Sequence, residues 1–172
     1  GVPLYNVSHM GGFFSAFNGS IVQDMELYKG NIPAKFGGRI SSVLDINSRK
    51  GNKEKYQGEI SLGLLTSSMA LEGPIKKDKT SLLLSGRTTY SDWMLGLLPE
   101  KSGYKNGKAG FWDANIVLSH QFSQKDNLYL SGYYSHDRFN FIENEKYNYA
   151  NANASLQWVH LFDDNFRLGT TV

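Results

Sequence analysis

The sequence predicts an all-β protein with a small helical content near its start. Two observations carry this reading. Apolar and polar residues alternate with period 2 from about residue 58 to the last residue. The connections between the alternating runs come in two lengths, short polar turns and longer links. Long alternating strands with short turns at one end and longer loops at the other form the pattern of an antiparallel outer-membrane β-barrel.

Residues 1–50 differ in character. Gly11-Gly12, Gly19, Gly30 and Gly37-Gly38 punctuate short apolar pieces, which points to tight turns and close backbone approaches. Met25-Glu26-Leu27-Tyr28 and Ser42-Val43-Leu44-Asp45-Ile46 read as short strands, and Phe13-Phe14-Ser15-Ala16-Phe17 as one helical turn. Residues 51–57, at the end of the polar run that starts at Arg49, read as a connector.

About seven strands are expected over residues 58–172. The first carries Ile60, Leu62 and Leu64 on one parity, the next Met69 and Leu71, and the third Leu82 and Leu84. Then Trp112, Ala114, Ile116, Leu118, His120 and Phe122 alternate with Asp113, Asn115, Val117, Ser119 and Gln121. Leu128, Leu130 and Tyr134 follow in one run, Ala150, Ala152, Ala154, Leu156, Trp158, His160 and Phe162 in another, and Phe166 opens a last one. Short turns are expected at 76–79, 123–126 and 163–165, and longer links at 91–110 and 139–147, while the first link, near 65–68, reads as short and breaks the pattern. Trp112 to Phe122 spans about 36 Å, and tilting by about 40° makes it about 28 Å tall, near the apolar band of such barrels. His120-Gln121-Phe122 and His160-Leu161-Phe162 each precede a short turn, so Phe122, Phe162 and Trp158 are assigned to one aromatic girdle. A soluble β-sandwich is the competing fold, because its strands alternate too.

The composition narrows the function classes. The net charge is +2 and charged residues are 20%, with no basic stripe suited to nucleic acid. Cysteine is absent, so thiolate metal sites and Cys nucleophiles are excluded. The best apolar run, Met94-Leu95-Gly96-Leu97-Leu98, is far shorter than the about 20 residues of a transmembrane helix. The four His match no metal-ligand spacing. No nucleophile, base and orienting group converge, so neither a metal site nor an enzyme is expected. The chain opens at Gly1 without an initiating Met and reads as a piece of a longer protein.

Several motifs carry a resemblance. Gly1-Val2-Pro3-Leu4-Tyr5-Asn6 resembles the "DGVP" strand of TonB-dependent receptor plugs. Val22-Gln23-Asp24-Met25-Glu26-Leu27-Tyr28-Lys29-Gly30 resembles their "I-x-x-[IV]-E-[VL]-x-K-G" segment, with Met25 as a departure. Ile32-Pro33-Ala34-Lys35-Phe36-Gly37-Gly38-Arg39 is similar to "PA-x-[YF]-GG-R". Ser42-Val43-Leu44-Asp45-Ile46 sits where the plug's last strand runs into the barrel. The wording of 7–18 and 41–46 is similar to Bacteroidetes-type members. The four motifs stand in family order, and the likeness covers essentially the whole chain.

The resemblance implies the C-terminal half of a plug domain at 1–50, a connector at 51–57, and the first strands of a barrel of about 22 at 58–172. It implies TonB-dependent import of a siderophore, vitamin, glycan or peptide across the outer membrane of a Gram-negative bacterium. The partners it implies are the TonB–ExbB–ExbD system, reached through a Ton box outside this chain, the lipid bilayer, and a SusD-like or other surface lipoprotein. No cofactor is implied. A receptor or surface-complex scaffold on the same fold is the alternative function, and a soluble binding domain the third.

Three sets of residues are candidates. Gly30, Gly37 and Gly38 mark the plug motifs. Arg39, together with Lys35, is assigned to pair with Glu59 or Glu72, which lumen parity places inside alongside Arg87; solvated charges in a wet lumen are the other reading. Tyr5, His9, Phe13 and Phe14 either meet ligand near a plug apex or pack that segment. Trp93, in a loop with Tyr104, Lys101, Lys105 and Lys108, either meets ligand or belongs to an ordinary surface loop with a helical turn at Trp93–Leu98.

Overall fold

The computed structural model describes residues 3–4, 6–37, 42–102, 105, 107–142, 145–163 and 166–172, of which the side chains of 141, 142 and 145 are left aside. The chain is mostly β. Its main element is a seven-stranded antiparallel sheet in which consecutive strands are neighbours. Two small two-stranded sheets precede it: β1 (Ser8–His9) with β2 (Phe14–Ser15), and β3 (Val22–Tyr28) with β4 (Val43–Ser48).

The seven strands are β5 (Gln57–Leu62), β6 (Thr66–Lys76), β7 (Thr80–Thr89), β8 (Lys108–Gln121), β9 (Asp126–Ile142), β10 (Glu145–Leu161) and β11 (Arg167–Thr171). A helical turn, α1 (Asp92–Gly96), follows β7. Cross-strand register turns the period-2 pattern into two chemically distinct faces. Along one row Gly58, Leu71, Leu84, Ile116, Gly132 and Ala154 stand side by side. One residue along each strand, the opposite face holds Glu59, Ala70, Ser85, Asn115, Tyr133 and Asn153.

Burial follows the same split. On β8 Phe111, Asp113, Asn115, Val117 and Ser119 are buried, while Trp112, Ala114 and Ile116 between them are exposed. The apolar residues thus face away from the rest of the chain and the polar ones are covered. That inverts the arrangement of a water-soluble sheet. A small apolar nucleus, Ile21, Leu83 and Val117, lies on the covered face.

Two sequence expectations are corrected. Phe13–Phe17 is not a helical turn: Phe14–Ser15 pairs with Ser8–His9, and the turn is the 3-10 stretch Met10–Gly12. Met10, Gly11 and Gly12 all have positive φ (51°, 66° and 110°), a run that two glycines make affordable. Within the link expected at 139–147, residues 139–142 and 145–147 are strand instead, since β9 runs to Ile142 and β10 from Glu145. Aromatic residues there, Phe139 and Tyr147, favour pairing where the polar residues point to a loop. The link after β7 is long, residues 90–107, but the two others at that end, 63–65 and 143–144, are as short as 77–79, 122–125 and 162–166 at the other end, so the expected asymmetry of the ends rests on one loop. Asp78 holds the left-handed conformation, φ 63°, that the tight 77–79 turn requires.

The free face is banded by aromatic rings. Trp112 packs on Tyr134 at 5.2 Å near one end. Near the other, His120 meets Phe122 edge-on at 4.4 Å, and His160 meets Phe162 in the same way at 4.5 Å. The repeated His-x-Phe text therefore folds into a repeated geometry. On the same face the Tyr56 ring lies over Gly73, where an added Cβ would fall 2.1 Å from it. Gly73→Ala is expected to displace that ring, break the 2.9 Å bond from the Tyr56 hydroxyl to the Pro74 carbonyl, and cost about 1 kcal/mol. A thermal melt unchanged against wild type would contradict this.

Candidate functional site: the contact between residues 6–49 and the sheet

The polar face of a sheet that is covered by another part of the same chain needs partners for its buried groups. Residues 8–21 and Arg49 supply them at two places.

The first centres on His9, which is fully buried. Its short strand brings it to the covered face, and its ring stacks on Phe111 at 4.0 Å with an interplanar angle of 7°. Nδ1 lies 2.7 Å from the Asp137 carboxylate, which accepts and so fixes the proton on that nitrogen. Nε2 lies 3.3 Å from the Tyr133 hydroxyl and 3.7 Å from Asp113. The other Asp137 oxygen accepts from the Met10 backbone N–H at 3.0 Å. Asp113 is held by Arg87 Nε at 2.8 Å, and Arg87 also donates to the Ser15 carbonyl at 2.8 Å. The Arg87 guanidinium lies over the Phe111 ring at 4.9 Å. Tyr149 donates to the Ser8 carbonyl at 3.2 Å. Among the described residues no buried side-chain polar atom lacks a partner.

The second place centres on Arg49. Its Nε and Nη2 both donate to the Ser20 carbonyl, at 3.0 and 2.7 Å, and its Nη1 pairs with Glu72 at 2.9 Å. The planar fork of arginine is what lets one side chain hold a backbone oxygen and a carboxylate together. Asn18 reaches Ser85 at 3.4 Å while its other amide atom caps the Gly19–Ile21 turn. Just beyond, the Lys50 carbonyl accepts from Ser81 and Ser119, each at 2.7 Å, and Lys50 Nζ sits 3.0 Å from the Tyr129 hydroxyl. Gly51 has φ 76°, and a Cβ added there would fall 3.3 Å from the Ser81 side chain. Arg49→Lys keeps the charge and loses the fork. It is expected to weaken this corner by about 1 kcal/mol, a figure kept low because the side chain is partly exposed. The Arg49 amide, bonded to the Ile21 carbonyl at 2.8 Å, reports this as faster hydrogen exchange.

The sequence-selected residues fall in different places. Lys35 does not reach the sheet: it pairs with Asp45 at 3.0 Å and lies 4.5 Å over Phe36, because β4 runs beside it. Glu72 is an ion-pair acceptor, and its described partner is Arg49 rather than Lys35. Glu59 is exposed, in an open cleft of about 390 Å³ lined also by Arg49, Gln57 and Glu72, and makes no ion pair with a described residue. Arg39, Gly38, Tyr5 and Tyr104 lie outside the described residues. Gly30 and Gly37 are exposed, without positive φ and with open space at Cβ, so neither meets a steric demand for glycine. His9 is at the centre of the contact. Phe14 is half-buried against Phe111 at 5.4 Å, Phe13 is 85% exposed, and Trp93 stands half-exposed on α1.

Sequence reasoning missed Asp113, Asp137 and Arg49, and it gave Arg87 no partner. The signal for the first two was their place on the polar parity: a carboxylate pointing to a covered face demands a donor. In β3 the Tyr28 hydroxyl donates to Glu26, and that carboxylate holds the phenol above its ordinary pKa. Among the described residues no three His, Cys, Asp or Glu side chains are grouped to hold a metal ion. No protein-family model, curated protein or solved structure matches the chain.

Proposed function

We propose that the chain is part of an outer-membrane transporter of the TonB-dependent type. In this reading residues 1–50 are the end of a plug and 58–172 the first barrel strands. The observation that carries it is the inverted sheet, apolar on its free face and polar on the face that residues 8–21 and 49–50 contact. A free face this apolar is unfavourable against water and favourable against acyl chains.

The spacing of the aromatic rings supports the same reading. From Trp112 to Phe122 is about 36 Å along the strand, or about 28 Å at a tilt of about 40°, close to the height of the apolar band between two girdles. The short turns then lie on the periplasmic side and the 90–107 loop outside. No helix among the described residues is long and apolar enough to cross a membrane, and strands are the spanning elements of a barrel. The outer edges of β5 and β11 have no sheet partner among the described residues, and further strands of a longer protein would close them.

A plug must be held and yet be releasable. The His9 and Arg49 contacts are the holding points: a few directional bonds on polar surfaces, with only a small apolar nucleus between them. Import would begin when TonB, pulling from the periplasmic side, breaks them. The ligand is one of the classes the family carries, a siderophore, vitamin, glycan or peptide.

The test uses the full-length protein expressed in a Gram-negative host. Recovery from the outer membrane only with detergent, and retention on an immobilised periplasmic TonB domain, are the expected results. Recovery as a water-soluble species would sink the membrane reading. Membrane insertion without TonB retention would favour a receptor or scaffold on the same fold.

A further inference from the structure

We infer that α1, with Leu97 and Leu98, is an interfacial anchor that lies in the outer leaflet and sets its lysines against anionic phosphate headgroups. The inference rests on the membrane reading above.

Polar contacts fasten the turn to the sheet. Ser91 Oγ donates to the Ala109 carbonyl at 2.8 Å, and the Ala109 N–H donates to Asp92 at 2.9 Å. Asp92 also pairs with Arg138 at 3.3 Å. Arg138 shares its parity with Tyr134 and His136, so this pair fixes the turn on the apolar side of the sheet. The clamp leaves the apolar side chains outside: Trp93 is 48% exposed, Met94 44%, Leu97 75% and Leu98 37%. Leu95 between them is half-buried, while these four stand out from the chain as an exposed apolar patch.

Two features say what covers them. The patch continues the free apolar face, where Tyr90, Trp112 and Tyr134 stand exposed at the same end of the strands. Near it in the chain lie Lys101 and Lys108, both exposed, while Lys105 is paired with Glu100 at 3.2 Å and Arg138 with Asp92. Trp and Leu beside basic side chains are the chemistry of a segment lying in a bilayer interface, apolar atoms in the acyl region and cations at the phosphates.

Cysteine is absent from the chain, so a single introduced thiol can be labelled uniquely within it. The full-length protein carrying Leu97→Cys, Ile116→Cys or Phe13→Cys is labelled with an environment-sensitive fluorophore. It is then reconstituted in phosphatidylglycerol–phosphatidylcholine vesicles containing a nitroxide lipid. The expected result is quenching at Leu97→Cys within about twofold of that at Ile116→Cys, and none at Phe13→Cys. Adding Lys101→Gln and Lys108→Gln should lower quenching at position 97 and leave position 116 unchanged. Quenching at 116 with none at 97 would overturn the anchor alone. Absence of quenching at both would overturn the membrane reading and the anchor with it. Quenching at 97 that ignores the lysine changes would overturn the headgroup contact.

Discussion

Replacing His9 with alanine is expected to release residues 8–16 from the sheet, at a cost of about 3 kcal/mol. The change removes the donor to a fully buried carboxylate, Asp137, and the ring stacked on Phe111. An uncompensated buried carboxylate is costlier than the loss of one ordinary hydrogen bond, and the stacking adds to it. Hydrogen exchange at the Ala16 amide, which is bonded to the Val7 carbonyl at 3.0 Å, is the readout. It should accelerate about a hundredfold if the hairpin opens as a unit. Asp137→Asn is expected to do less, because its remaining oxygen still accepts from Met10. The double change should cost less than the sum of the two, since both act on one bond. Unaltered exchange in His9→Ala would mean that the segment is held by other contacts.

The second large effect is expected on the opposite face. Ile116→Arg places a charge in the middle of the free apolar row, between Leu84 and Gly132. In a bilayer midplane this costs about 2–4 kcal/mol. On a sheet surface in water the same change is within about 0.5 kcal/mol, because Ile116 is already 42% exposed. Denaturant unfolding of the full-length protein in lipid vesicles separates the two. A neutral result would remove the chief support for the transporter reading. Val117→Arg is a poor substitute test, because Val117 lies in the buried nucleus with Leu83 and is costly in either environment.

Much of the architecture was legible because period 2 is a strong signal when one face must differ from the other. The strand through Trp112 and Phe122 was readable almost residue by residue, since Asp113, Asn115 and Ser119 mark one parity and Ile116 and Leu118 the other. The strand ends were less readable. Phe139 to Tyr147 mixes Asn and Glu with Phe and Tyr, and pairing between β9 and β10 prevailed over the polar composition. The site was harder still. Which carboxylate meets which cation depends on the register of strands with the segment that covers them, and a single strand's text does not hold that. Lys35 and Arg49 are both plausible partners for Glu72 by charge. Only the path of the chain decides: Arg49 follows β4 directly onto the sheet, while Lys35 is held by Asp45 on β4.

The shared carbonyl of Lys50 has a mechanical meaning. One backbone oxygen ties the chain to two neighbouring strands at the point where it crosses from the covering segment to the sheet. Such a point is a hinge pin: force applied upstream acts there as torque, with residues 6–49 as the lever arm. The contact most remote from the pin by chain path, at His9, would yield first, and the Arg49 corner last. A pull on this chain would then swing the segment open like a door on its frame, with the jamb still fastened after the latch has sprung.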